Sequence, residues 1–198
     1  LNLEQAEAYF NDLGRQLPAQ TVIVLTGGIA ASLLADARTT DDIDFAVIKP
    51  LLKHWDAVAG TLTRLAAKRG IQVQFSEDLD RWSSVTLLDW KKHTRLHRRS
   101  GKLEVRILDP LYFSIGKITR SRQGDIDDLV AVLKAQKTDW RPLVKLWAKA
   151  LQKSPRSTAL PLVKQQMLTF LKDQGPGIWG KHFRAQEAAS AFEASLKR

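Results

Sequence analysis

LTGGIAASLLADARTTDDIDFAV, residues 25–47, is the stretch on which the fold turns. It begins where an apolar run, Thr21 to Leu25, breaks on Gly27-Gly28. A short helical pattern follows (Ile29, Leu33, Leu34), then Arg38-Thr39-Thr40, then Asp42-Ile43-Asp44-Phe45-Ala46-Val47. The last segment alternates carboxylate with apolar residue. Side chains i and i+2 of a strand share a face, so Asp42 and Asp44 point one way while Ile43, Phe45 and Val47 point the other. Two like charges so placed repel, and hard oxygen donors of this kind suit Mg²⁺ or Mn²⁺. A strand that ends on Gly-Gly and opens a helix lets backbone N–H groups approach a phosphate, whose charge the helix N-terminus favours. Each feature alone has a plain structural reading: a tight turn for the glycines, a solvated strand edge for the aspartates.

Outward from that stretch, Leu3, Ala6, Phe10 and Leu13 keep the helical period and predict an N-terminal helix ended by Gly14. Pro50 is expected in the first turn of another helix. Its buried face would be Leu51, Trp55, Val58, Ala59, Leu62, Leu65 and Ala66, with Gly70 as its C-terminal cap. Ile71 to Phe75 alternates and predicts a strand, SEDLDRW a polar connection. Further strands are expected at Val85–Trp90, about His93–Arg98 and Leu103–Leu108, with Ser100-Gly101 as a hairpin turn. Beyond Asp109-Pro110 the pattern is helical, marked by Leu111/Ile115/Ile118, Ile126/Leu129/Leu133, Leu143/Trp147/Leu151 and Leu160/Val163/Met167/Phe170. After a breaker at Gly175-Pro176-Gly177, a last helix is expected from about Lys181 to Leu196. Strands mixed with helices followed by helices alone give an α+β class: a mixed sheet flanked by helices, then a C-terminal helical bundle, divided as 1–109 and 110–198.

Composition bounds the function. The 198 residues carry a formal net charge of +10 and contain no cysteine, which excludes disulfides and thiolate metal sites. No apolar run approaches the roughly 18–20 residues that span a bilayer, and no signal-peptide pattern opens the sequence, so a cytoplasmic protein without a membrane partner is expected. So basic a chain is expected to meet a polyanion, most commonly nucleic acid. Two basic surfaces stand out. His93, Arg95, His97 and Arg99 are expected on one face of a strand, and Lys137, Arg141, Lys145, Lys149 and Lys153 recur every four residues along a helix. Arg95, Arg99, Arg141, Lys145 and Lys149 are therefore the candidate nucleic-acid contacts, against the plain reading of a solvated basic face. The histidines lack partners at zinc spacing, and the scattered tryptophans are expected in the core.

Gly27-Gly28, a spacer of thirteen residues and Asp42-Ile43-Asp44-Phe45 together resemble the signature of the nucleotidyltransferase superfamily, the polymerase-beta-like fold. The resemblance implies an NTP substrate seated by Thr26, Gly27 and Gly28, and Mg²⁺ or Mn²⁺ held by Asp42 and Asp44. It also implies a third carboxylate on a neighbouring strand, for which Asp89 and Glu104 are the candidates and Asp89 is preferred. Ile107-Leu108-Asp109-Pro110, Lys117, Arg120 and Gly124-Asp125-Ile126-Asp127-Asp128 resemble toxin-type nucleotidyltransferases of the AbiEii family, although Gly124 stands where that family has arginine. This likeness implies that Lys117 contacts the nucleotide phosphates and that Asp125 assists at the active site. The ordinary alternative is helix capping, since negative charge in a first turn is favourable by about 0.3–1 kcal/mol. On this reading residues 1–109 are the catalytic domain and 110–198 complete the site and carry a basic surface. The expected activity moves an NMP from an NTP to a hydroxyl acceptor. RNA such as a tRNA end is the leading acceptor, a protein hydroxyl or a small molecule the others, and an antitoxin protein is a possible partner. The alternative is a catalytically weak module of the same fold that binds nucleic acid or a protein.

Overall fold

The computed structural model describes residues 1–36, 39–49, 54–76, 81–82 and 84–197. Arg38, Pro50, Leu51 and residues 77–80 of the polar connection, all named above, lie outside the described residues. The chain divides into two units, Leu1–Leu79 with Lys91–Asp109, and Asp80–Trp90 with Pro110–Arg198.

The first unit is built on a mixed sheet. Its strands are β1 (Thr21–Leu25), β2 (Asp42–Lys49), β3 (Gln72–Ser76), β6 (Thr94–Ser100) and β7 (Leu103–Leu108), in the order β3-β2-β1-β7-β6. β1 is antiparallel to β2 and parallel to β7, while β2 is parallel to β3. Parallel neighbours need a crossover, and the crossover from β2 to β3 contains helix α3 (Trp55–Lys68). Ile23, Leu25, Ile43, Phe45, Val47, Val105 and Ile107 fill the buried face. They pack with Tyr9, Phe10 and Leu13 of α1 (Leu3–Gln16) and Val58, Leu62 and Leu65 of α3, all buried. The Tyr9 hydroxyl donates to the Leu62 carbonyl at 3.0 Å and ties the two helices together. Burial pushes that phenol's pKa up.

Gly14 does not end α1, which runs on to Gln16. It is a glycine because the Ser100 backbone crosses there: a Cβ would lie 2.7 Å from the Ser100 carbonyl carbon, and the Gly14 carbonyl accepts from the Lys102 N–H at 3.0 Å. The β6 face also differs from the alternation expected of it. A bulge between Leu96 and Arg98 adds one residue to the strand, so Arg95 and Arg99 do not share a face. Arg99 lies opposite Glu104, and Arg95 opposite Ile107.

In the second unit, the short strands β4 (Arg81–Trp82) and β5 (Val85–Thr86) form a separate antiparallel pair. Thr86 N–H donates to Ser154 Oγ at 2.8 Å at the end of α6 (Trp140–Lys153). The expected strand Val85–Trp90 thus stops at Thr86, and Trp90–Lys92 form a 3₁₀ turn. The rest of this unit is helical: α4 (Pro110–Arg120), α5 (Gln123–Ala135), α7 (Leu160–Asp173), α8 (Gly175–Trp179) and α9 (Ala185–Leu196), of which α4, α7 and α9 pack with α6. The expected breaker at Gly175 is the short α8, with proline in its first turn where its missing N–H costs nothing, and α9 starts at Ala185. Trp147 anchors this core: it is fully buried, meets Phe170 edge-on, and donates from Nε1 to Ser114 Oγ at 2.8 Å. The fold is thus α+β, a five-stranded mixed sheet flanked by helices and followed by C-terminal helices.

Candidate active site

Helix α2 (Gly27–Ala35) opens directly after β1. Its entry is fixed by two close approaches. Gly27 has φ +61°, the left-handed region, and a Cβ there would sit 2.8 Å from Asp44 Cγ and 2.9 Å from Asp44 Cβ. Only glycine satisfies both the dihedral and the contact. Gly28 is crowded in the same way by Thr40, whose Cβ would be 2.8 Å from a Cβ at Gly28. The Asp44 carbonyl accepts from the Thr26 N–H at 2.8 Å and so fastens the strand that carries the aspartates to the turn that carries the glycines. Thr26 is buried and stands at the N-cap, yet its side chain makes no capping hydrogen bond. The first-turn N–H groups of α2, which lack intrahelical partners, are thus not capped by the Thr26 side chain.

Asp42 and Asp44 are half-buried and share one face of β2, separated by about 7 Å along the strand. Asp42 is held on both oxygens. Thr40 Oγ1 donates to its Oδ1 at 3.3 Å, and Gln74 Nε2, from the neighbouring β3, donates to its Oδ2 at 3.0 Å. The structure therefore brings Thr26, Gly27, Gly28, Asp42 and Asp44 into one corner of the sheet. It adds Thr40 and Gln74, which the sequence reading passed over. Gln74 could have been found from the alternation of Gln72-Val73-Gln74, which puts its amide on the face of the aspartates; Thr40 could have been found from its place two residues before Asp42.

Of the two third-carboxylate candidates, Glu104 belongs to the same sheet but not to this corner of it. Glu104 lies on β7 beside Val22, four residues and about 13 Å along β1 from Thr26. Its carboxylate is paired with Arg106 and Arg99, each at 2.8 Å. The Arg106 hydrogen bond, then that of Arg99, holds its pKa below the usual carboxylate range. Asp89 does not end a strand of the five-stranded sheet: it stands in a turn with φ +50°, within the second unit. The register of the short β4–β5 pair ends at Thr86 and leaves Asp89 off any ladder. Among the described residues, no group of three or more His, Cys, Asp or Glu side chains is placed to hold a metal ion. Asp42 and Asp44 alone still match the smaller donor set of Mg²⁺, which uses one or two carboxylates, several waters and substrate phosphate oxygens.

In the second unit, Lys117 is buried between α4 and α5, not presented to solvent. Its Nζ donates to Asp128 Oδ2 at 2.6 Å and to Asp125 Oδ1 at 3.2 Å, and it lies 5.5 Å from the centroid of Phe113. Arg120 donates to the same Asp125 oxygen at 2.6 Å. The four charges cancel, and the cluster clasps α4 to α5. Of the expected nucleic-acid contacts, Arg95 is paired with Asp109 at 3.2 Å and Arg99 with Glu104. His97 and Arg98 both reach Glu7 on α1. Arg141, Lys145 and Lys149 are exposed along α6, with Arg141 4.6 Å from the Trp140 centroid.

A family model described as a nucleotidyltransferase of unknown function (DUF6036) matches residues 2–162, which contain every group of the corner just described. No curated protein and no solved structure matches the chain.

Proposed function

Because the chain belongs to the DUF6036 family of nucleotidyltransferases of unknown function, we propose that its corner of Gly27, Gly28, Asp42 and Asp44 transfers an NMP from an NTP to a hydroxyl acceptor in a divalent-metal-dependent reaction. The observation that carries this reading is the seating of the Asp44 side chain against Gly27 at the mouth of α2. It sets a carboxylate pair beside a helix N-terminus whose capping side chain is idle. The N–H groups of the first turn seat the triphosphate. Asp42 and Asp44 would hold Mg²⁺, which when bound supplies charge neutralisation at the phosphates and polarisation of the attacking oxygen. Thr40 and Gln74 each donate to one oxygen of Asp42 and so keep the side chain in one orientation. The acceptor oxygen bonds to the α-phosphorus and gives up its proton to water as the bond to the β-phosphate oxygen breaks, and pyrophosphate leaves. The charge of the chain favours RNA as acceptor, a tRNA end among the choices, and the likeness to AbiEii-type toxins fits that substrate and an antitoxin partner. Lys117 and Asp125 act through position on this reading: they fix α4 on α5.

The test is thermal stabilisation by MgATP and the other Mg-NTPs, followed by incubation of labelled NTPs with a total RNA pool. Stabilisation that needs both metal and nucleotide, lost in Asp44→Asn, supports the reading; stabilisation by neither refutes it. A second reading, a catalytically weak module of this fold, is favoured by the engagement of Glu104 with Arg106 and Arg99. It predicts MgNTP binding with no labelled product on any RNA.

A further inference from the structure

The net charge is not spread evenly. The unit made of residues 80–90 and 110–198 carries 17 Lys and Arg against 9 Asp and Glu, a net of +8; the other carries 14 against 12, a net of +2. In the first unit the basic side chains of β6 have acidic partners: Arg95 has Asp109, His97 and Arg98 share Glu7, and Arg99 has Glu104. In the second, Lys117 and Arg120 are consumed by Asp125 and Asp128. The surplus therefore falls on the surface, and one element collects it in register.

Helix α6 contains no acidic residue. Arg141, Lys145, Lys149 and Lys153 recur every fourth residue and are all exposed, which sets them about 6 Å apart along the axis. Arg141 is only loosely engaged, by Asp139 at 3.6 Å and Glu187 at 3.9 Å. Lys145, Lys149 and Lys153 make no ion pair among the described residues. Like charges at this spacing destabilise a helix. The helix forms because its opposite face, Leu143, Val144, Trp147, Ala148 and Leu151, is buried in the core.

We infer that the outer face of α6 is a docking surface for the sugar–phosphate backbone of single-stranded RNA. A row of point charges at a regular interval fits a polymer with one negative charge per residue. The alternatives fit less well. A membrane-surface helix needs an unburied apolar face, and that of α6 is occupied. A protein interface is anchored by Trp, Tyr or Arg packed into desolvated pockets; both tryptophans of α6 are buried in the core, and the exposed large hydrophobics of the described residues, Leu96 and Leu162, are not on α6. Trp140, at the head of the row, is buried under Arg141 and is no platform for a base. Contacts are therefore to phosphate, and binding is indifferent to sequence. This inference stands apart from the chemistry proposed at Asp42 and Asp44.

The experiment measures binding of fluorescein-labelled oligo-U and oligo-A to the full chain by anisotropy across a salt series. Three variants are compared with wild type: Lys145→Gln/Lys149→Gln/Lys153→Gln, Arg95→Gln/Arg99→Gln, and Asp44→Asn. Wild type binds both oligomers alike, with a steep salt dependence. Loss of three phosphate contacts makes the slope of log K against log[salt] shallower by about 2, at about 0.7 per contact for a single strand. The β6 variant and Asp44→Asn keep the wild-type slope, so a failed transferase reading leaves this result untouched. The lysines are exposed and mutually repulsive, so the triple variant melts no lower than wild type, which removes misfolding as an explanation. The inference is overturned if wild type binds neither oligomer, if the triple variant keeps the full slope, or if polyglutamate of equal length binds as tightly as RNA.

Discussion

Replacing Gly27 by alanine tests the geometry at its tightest point. Two penalties combine there. An L-residue at φ +61° costs about 1–2 kcal/mol, partly offset by about 0.4–1 kcal/mol from the stiffer unfolded chain. The new methyl must also displace Asp44, whose Cγ and Cβ stand 2.8 and 2.9 Å away, and overpacking of this kind costs about 1–3 kcal/mol. Gly70 supplies the control. It has φ +63° and nothing within 4 Å of an added Cβ, so Gly70→Ala registers the dihedral cost alone, about 1 kcal/mol. Gly27→Ala should then lose about 2–4 kcal/mol in urea denaturation followed by circular dichroism, and the difference between the two variants reports the contact with Asp44. The same substitution should weaken stabilisation by MgATP, because the carboxylate must swing away from the turn. If Gly27→Ala costs no more than Gly70→Ala and retains the full MgATP response, the turn and the carboxylate are not coupled and the reasoning fails.

Two further outcomes follow from the ion pairs. Lys117→Met removes the ammonium that Asp128 and Asp125 share in the α4–α5 interface; removing one partner of a buried pair costs about 3–5 kcal/mol, read as a lower urea midpoint, and a loss under about 1 kcal/mol would mean that the cluster hydrates easily. Glu104 has its folded pKa depressed by Arg106 and Arg99, so its contribution is fully present above its unfolded value of about 4.3. It is lost as pH falls through the folded value. Glu104→Gln should destabilise at neutral pH by less than about 1 kcal/mol, the pair being partly open to solvent, and should flatten the acid limb of stability against pH; an unchanged acid limb would refute the pairing.

Local pattern carried much of the first unit. The alternation in Asp42 to Val47 placed its carboxylates on one face and its apolar side chains in the core, and the position of Gly27-Gly28 between a strand and a helix marked the turn. Both depend on neighbours along the chain, so sequence was enough. It was not enough for Gly14. A glycine near a helix end reads as a cap, and the strand residue crossing it, Ser100, lies far along the chain. Nor could it reveal the bulge in β6, which follows from how that strand meets β7 and which separates Arg95 from Arg99.

From the sequence alone came the class of fold, the glycine–carboxylate corner, and the charged row on α6, all features written within one element or across one turn. Tertiary structure decided which charges remain to act. Lys117, Arg95 and Arg99 look as available in the sequence as Lys145 and Lys149, but their acidic partners come from other elements or from a facing strand. It also brought Gln74 of β3 to Asp42, a pairing of strands that no local pattern specifies. Electrostatic availability is a property of three-dimensional neighbours, and the chain must fold before they meet.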